Sequence, residues 1–239
     1  MLSEIEIKNV LFLDIETVPQ VKSYRDLSRD MQALWDKKSA VFRSEEQSPE
    51  DAYERAGIYA EFGRIICISV GIVTGSGKET GLRLKSYADQ EEKVLLASFR
   101  DMLESYSGKR DIYLCAHNGK EFDFPYLARR MLLNGVKLPS VLDSAGKKPW
   151  EIRHLDTMEL WKFGDYKHYT SLELLTRIFD IPSPKDDMDG SMVASVYYEE
   201  NNLSRIIEYC QHDVVAVAQL LMRYRGESLI PEEGIQFAR

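Results

Sequence analysis

Residues 4–16 read EIEIKNVLFLDIE, where Ile5 and Ile7 alternate with polar neighbours before a solid apolar run. That pattern predicts a strand entering the centre of a sheet. A second apolar run, IICISVGIV at 65–73, and the alternating LRLKSYA at 82–88 flank a turn containing Gly75 and Gly77, which predicts a hairpin. From Asp89 the period becomes helical, with Val94, Leu95, Phe99 and Leu103 on one side and an Asp89-x-x-Glu92 box to cap a helix over about 90–106. DIYLCAHN at 111–118 reads as a strand ending in a polar turn. FPYLARRMLLNG follows as a helix, with Pro125 near its start and Gly135 at its stop.

A short strand near 151–155 leads into a helical DTMELW segment. Further helices are signalled by Thr170-x-x-Glu173 and by the periodic stretch 203–225 ending at Gly226. Antiparallel strands come first and β/α alternation follows, so the expected class is α/β, a mixed sheet flanked by helices with strands one to three as a meander. Residues 20–63 stand outside this core. They are charged, with helical patches such as SYRDLSRDMQALWDKK and a Ser48-Pro49-Glu50-Asp51 helix start, and are read as a helical insertion between strands one and two. No repeat or Gly/Ser linker divides the sequence, and residues 1–239 are expected to form a single domain.

A hydrophobic fraction of 44% suffices for a substantial core. No run approaches the length of a bilayer span, and the amino-terminal residues lack the pattern of a signal peptide, which gives a cytoplasmic expectation. Cys67, Cys115 and Cys210 sit in apolar runs, as reduced core cysteines do, so no disulfide is expected. The formal charge of −8 argues against a phosphate-rich partner. A cluster of acids that binds cations reverses that field locally, however.

Asp14 and Glu16 are two apart on the first strand, so both carboxylates face one side. Two like charges there are costly unless neutralised, and a hard divalent cation with oxygen ligands is the natural neutraliser. Solvated acids at a strand end are the plain alternative. Asp123 follows a strand within an Asn118-Gly-Lys-Glu-Phe-Asp turn and, taken singly, reads as a helix N-cap. Asn118 is expected to brace that turn. Tyr209 and Asp213 are spaced i, i+4 on the last helix and share a face, polar within a stripe of Ile206, Val214 and Val217.

LFLDIET, HNGKEFDFPYL and YCQHD, in this order and context, resemble the three exonuclease motifs of the DEDD superfamily in its Tyr-containing (DEDDy) branch. The histidine branch would need His at the position of Glu208. Within the superfamily the chain is similar to predicted exonucleases related to the proofreading domain of family B DNA polymerases, over nearly everything outside 20–63. The resemblance implies an RNase H-like fold with a five-stranded mixed sheet and two divalent cations, Mg2+ or Mn2+. Asp14, Glu16 and Asp213 would surround one cation and Asp14 would be shared with the second, with Asp123 ligating directly or through water. It also implies that Tyr209 orients or helps deprotonate the attacking water, and that Thr17, Asn118 and Phe122 contact the terminal nucleotide. The implied activity is 3′-to-5′ exonucleolytic release of nucleoside 5′-monophosphates from single-stranded nucleic acid, DNA favoured. The rivals are an exoribonuclease and a catalytically silent module that binds nucleic acid or protein.

Zinc at the Cys115/His117 and Cys210/His212 pairs is disfavoured, because residues two apart on a helix point about 200° apart. The loop from Lys185 to Gly190 resembles a calcium loop but places Tyr198 where Glu is required. Asp156 is expected to cap the next helix. Lys120, Arg129, Arg130, Lys147, Lys148 and Lys185 are candidates for phosphate contacts, and Trp150 or Tyr169 for stacking on bases.

Overall fold

In a computed structural model, which describes residues 2–108, 111–165, 169–182 and 188–238, the first strand starts later than the pattern over 4–16 predicts, because Ile7–Asn9 form a 3-10 turn and the strand begins at Val10. β1 (Val10–Pro19) is nearly continuously apolar, which suits a strand covered on both faces. It pairs antiparallel with β2 (Gly63–Thr74), which pairs antiparallel with β3 (Gly81–Ala88). On its other side β1 runs parallel to β4 (Tyr113–Ala116), which runs parallel to β5 (Leu155–Asp156). The meander and the crossover order match expectation.

Among the described residues the sheet has six strands rather than five, in the order β5-β4-β1-β2-β3-β6. β6 (Ile235–Phe237) adds parallel to β3 at the edge, with Leu82 opposite Ile235 and Leu84 opposite Phe237. Three residues cannot display a period, so only pairing with β3 reveals this strand. β5 is also shorter and later than the expected 151–155.

Helices cover both faces. On one, α2 (Glu92–Ser107) and α3 (Asp123–Leu133) pack on Leu11, Leu13 and Ile15 of β1 through Leu95, Phe99, Leu103, Leu127 and Met131. On the other, α7 (Leu203–Tyr224) lies across Val10 and Phe12 with Val214, Val217 and Leu221. Its amino-terminal half joins α6 (Val193–Tyr198) around Val18, Ile66 and Cys67. Gly71 of β2 permits this close approach, because a Cβ there would lie 2.9 Å from Val214 Cγ1. The shorter α4 (Thr157–Lys162) and α5 (Leu172–Ile178) follow β5, and Ser171, not Thr170, caps α5 by accepting from the Leu174 amide.

The segment between β1 and β2 is helical as expected, with α1 (Arg29–Ser39) and a 3-10 run over Asp51–Ile58. It has its own small core in which Trp35, fully buried, meets Phe42, Tyr53, Tyr59 and Phe62 edge-on. At its return to the sheet the backbone passes so close to itself that a Cβ on Gly63 would stand 2.7 Å from the Gly57 carbonyl oxygen and 2.2 Å from the Tyr126 hydroxyl.

The Asp89-x-x-Glu92 box is corrected. Asp89 accepts from the Glu91 amide, while Glu92 turns inward and is 7% exposed. It accepts from the Ile65 amide at 2.8 Å, from Arg130 on α3 and from Asn134 at 3.0 Å. Arg130, also buried, donates in addition to the Ala60 carbonyl at 2.8 Å. This buried pair joins α2, α3, β2 and the insertion.

Candidate active site

Strand alternation puts Asp14 and Glu16 on the α7 face, in line with Phe12 before them and Val18 after. Both neighbours belong to apolar clusters, so the two acids occupy a gap between them. A β-bulge falls just after Glu16, which pairs with Cys67, whereas Thr17 pairs with Ile65. The extra residue is Ile66 of β2, and such a bulge bends its own strand and re-aims the side chains beside it. Across the gap, α7 presents Tyr209, Cys210 and Asp213 from adjacent turns. The Cys210 thiol donates to the Asp14 carbonyl oxygen at 3.4 Å and so fastens the helix to the strand at the acid itself.

Burial pushes the Asp14 carboxyl well above its ordinary range, and the charges of Glu16, Asp213 and Asp123 push it further. Burial does the same to Glu16, with Asp213, Cys67 and Asp123 adding to it. Asp123, 3% exposed, is pushed up to about 7, chiefly by burial. Asp156 and Asp213 contribute to that rise, and its own amide and that of Ile15 partly oppose it. These mutual effects place all four acids within one electrostatic neighbourhood. Tyr209 belongs to it too: its hydroxyl bonds Asp213, and burial followed by Asp213, Glu16 and Asp14 drives its pKa far up, so it stays protonated.

Asp123 is the first residue of α3, while Phe122 occupies the N-cap position with no side-chain cap. Oδ1 of Asp123 is buried without a hydrogen-bond partner among the described residues, and so is Oδ2 of Asp14. Buried unpaired carboxylate oxygens are costly. Among the described residues, a potential ligand set joins Asp14, Glu16 and Cys210, with one ligand atom from each lying within 4.8 Å of the others. Hard carboxylates with unsatisfied oxygens are the donor set that Mg2+ or Mn2+ takes, so the residues present fit a divalent cation.

The Asn118 turn is built differently from expectation. Asn118 has a left-handed backbone, φ 61°, and its side-chain oxygen is buried and unpaired rather than bracing the turn. Asp156 does the bracing: its carboxylate, 2% exposed, accepts from the Asn118, Lys120, Met158 and Glu159 amides, and so also caps α4. Thr17 is partly buried and hydrogen-bonds the Tyr126 hydroxyl, which donates to the Gly57 carbonyl at 2.7 Å. Phe122 packs on the same Tyr126 ring at 5.3 Å. Thr17 and Phe122 therefore meet through a residue that the sequence did not single out.

Of the basic candidates, Arg130 is excluded from phosphate contact by its buried pairing with Glu92. Lys120 pairs with Glu159, and Lys148 lies over the Trp150 ring at 5.2 Å. Arg129 is exposed. Lys147 lines a separate polar cleft of about 620 Å3 near Asp111 and Arg153. Lys185, with the first half of the 185–190 loop, lies outside the described residues. Trp150 and Tyr169 are 76% and 68% exposed, and the Tyr169 hydroxyl feels both Asp123 and Asp156. His117 is fully engaged, with Nδ1 2.9 Å from Thr157 Oγ1 and Nε2 2.9 Å from the Thr170 carbonyl, which leaves neither nitrogen for zinc. The three cysteines are buried free thiols.

The family described as "Predicted 3'-5' exonuclease related to the exonuclease domain of PolB" matches residues 58–228, more than half of the chain. The chain belongs to this family. The matched span includes Asp123, Tyr209 and Asp213 and begins after Asp14 and Glu16. A DNA polymerase from Pyrococcus glycovorans is 24% identical over 178 residues, covering 62% of this chain and 22% of the polymerase. The chain thus spans about a fifth of the length of that relative. The mixed α/β sheet with helices on both faces is the architecture expected for an RNase H-like exonuclease domain. Among the described residues, no helix is long and apolar enough to cross a membrane.

Proposed function

We propose that this family member is a metal-dependent 3′-to-5′ exonuclease of the DEDDy type, with residues 1–239 acting as one domain. It removes nucleoside 5′-monophosphates from the 3′ end of single-stranded nucleic acid. The observation that carries this reading is the convergence of four acids from β1, α3 and α7, with unpaired buried oxygens on Asp14 and Asp123. Asp14, Glu16, Asp123 and Asp213 would hold two divalent cations, Mg2+ or Mn2+. When bound, these lower the pKa of water and stabilise the attacking and leaving oxygens of an in-line displacement. Tyr209, whose hydroxyl bonds Asp213, orients or helps deprotonate the attacking water. Thr17, Phe122 and the side-chain oxygen of Asn118 would position the terminal nucleotide. Water attacks phosphorus, the P–O3′ bond breaks, and the leaving 3′ oxygen takes up a proton.

Single strands are favoured because the terminal phosphate must descend to acids recessed between two apolar clusters, and a paired end cannot follow it. The DNA polymerase relative supports DNA over RNA. Oligonucleotides labelled at the 3′ or 5′ end, in DNA and RNA versions with Mg2+ or Mn2+, test the reading against an Asp14→Ala control. Stepwise loss from the 3′ end, abolished in the variant, is expected. Undiminished activity in Asp14→Ala refutes it, and a folded protein that binds no divalent cation points instead to a silent binding module.

A further inference from the structure

The sequence reading gave Cys210 no role beyond the core, yet it stands beside the acids rather than away from them. Its sulfur and one carboxylate oxygen each from Asp14 and Glu16 lie within 4.8 Å of one another. Ligand atoms around a tetrahedral Zn2+, at bond lengths of about 2.0 to 2.3 Å, are roughly 3.5 Å apart, so side-chain rotation of about 1 Å closes the set. Unpaired buried oxygens are an independent sign that these acids lack a positive charge. Oδ2 of Asp14 is buried without a partner among the described residues, and so is Oδ1 of Asp123, a residue 3% exposed.

We infer that Cys210, Asp14 and Glu16 form a site for a thiophilic divalent cation, Zn2+ or Cd2+, whose binding blocks the hard cations of the proposed reaction. Thiolate sulfur selects such ions strongly, whereas Mg2+ ignores it and binds oxygen alone. On binding, the thiol gives up its hydrogen bond to the Asp14 carbonyl, its proton passes to the buffer and its lone pair goes to the cation. No electron is transferred. Asp14 is the acid that both catalytic cations would share, so a cation anchored there by sulfur occupies an oxygen that each of them needs. The site stands on geometry alone, while its inhibitory effect rests on the exonuclease reading.

The test titrates Cd2+ into metal-free protein and follows the ultraviolet sulfur-to-cadmium charge-transfer band. One equivalent should produce the band in the wild type and in Cys115→Ser, whose sulfur lies in a different cluster. It should be missing from Cys210→Ser. Because Cys210 is fully buried, Cys210→Ala is made alongside, and cadmium NMR of the wild type reads sulfur ligation with no substitution. An all-oxygen cadmium signal, or a band of equal strength in a folded Cys210 variant, overturns the proposal. In a parallel arm, Zn2+ is titrated against Mg2+-supported cleavage, with each protein referred to its own uninhibited rate. Inhibition should weaken at least tenfold when Cys210 is replaced. If no protein cleaves, the exonuclease reading fails while the cadmium signal still decides the site.

Discussion

Replacing Asp123 by Asn should raise the stability of the metal-free protein at pH 8 while abolishing its activity. Asp123 ordinarily titrates at 3.8, and in the fold at about 7. Between those values the folded state keeps a proton that the unfolded chain has released, so stability is highest at low pH and falls as pH rises through this window. Each pH unit costs about 1.4 kcal/mol per proton, which gives roughly 2 to 3 kcal/mol between pH 5 and 8 for Asp123 alone. Asp14 and Glu16 are shifted in the same direction and add to it. For a chain of this size the loss corresponds to roughly 5 to 10 °C in Tm. Thermal melts in EDTA from pH 5 to 8 measure the slope, and the same melts with Mg2+ should recover most of the loss at pH 8, because the cation replaces the missing proton. Asp123→Asn should flatten the EDTA curve and melt above the wild type at pH 8. A wild-type Tm that rises with pH in EDTA, or a variant less stable than wild type at pH 8 without metal, would refute the electrostatic argument.

Tyr209→Phe removes the hydroxyl facing Asp213 and should lower kcat about 100-fold with KM and divalent affinity little changed; equal losses in cation binding would show it to be structural. Arg130→Ala strands buried Glu92, and chemical denaturation should report a loss of about 3 to 5 kcal/mol. Trp35→Ala empties the centre of the insertion's core, with an expected cost of about 3 to 5 kcal/mol. If that segment unfolds separately, near-ultraviolet circular dichroism will show an early transition before the sheet melts. Gly63→Ala should destabilise the protein outright, since its Cβ meets a carbonyl oxygen and the Tyr126 hydroxyl; a variant as stable as the wild type would contradict the close crossing.

The sequence by itself determined the strands and helices whose periods run long enough to read: β1, the β2–β3 hairpin, α2, α3 and α7. It also determined the strand spacing of Asp14 and Glu16 and the helical spacing of Tyr209 and Asp213, because both are local consequences of backbone geometry. What it left open depended on contacts distant in the chain. Glu92 carries a good local capping pattern, but the buried guanidinium of Arg130, 38 residues away, claims it, and that same pairing removes Arg130 from the phosphate candidates. β6 is three residues long and exists through its pairing with β3. Asp123 taken alone suits a capping role, and only the fold leaves its oxygen buried, unpaired and facing other acids. Cys210 looked like core in sequence and is core in burial, yet the docking of α7 on β1 puts its sulfur beside two carboxylates. Local periodicity fixes which way a side chain leaves its own backbone, while the charge and chemistry it meets are set by elements that pack from elsewhere.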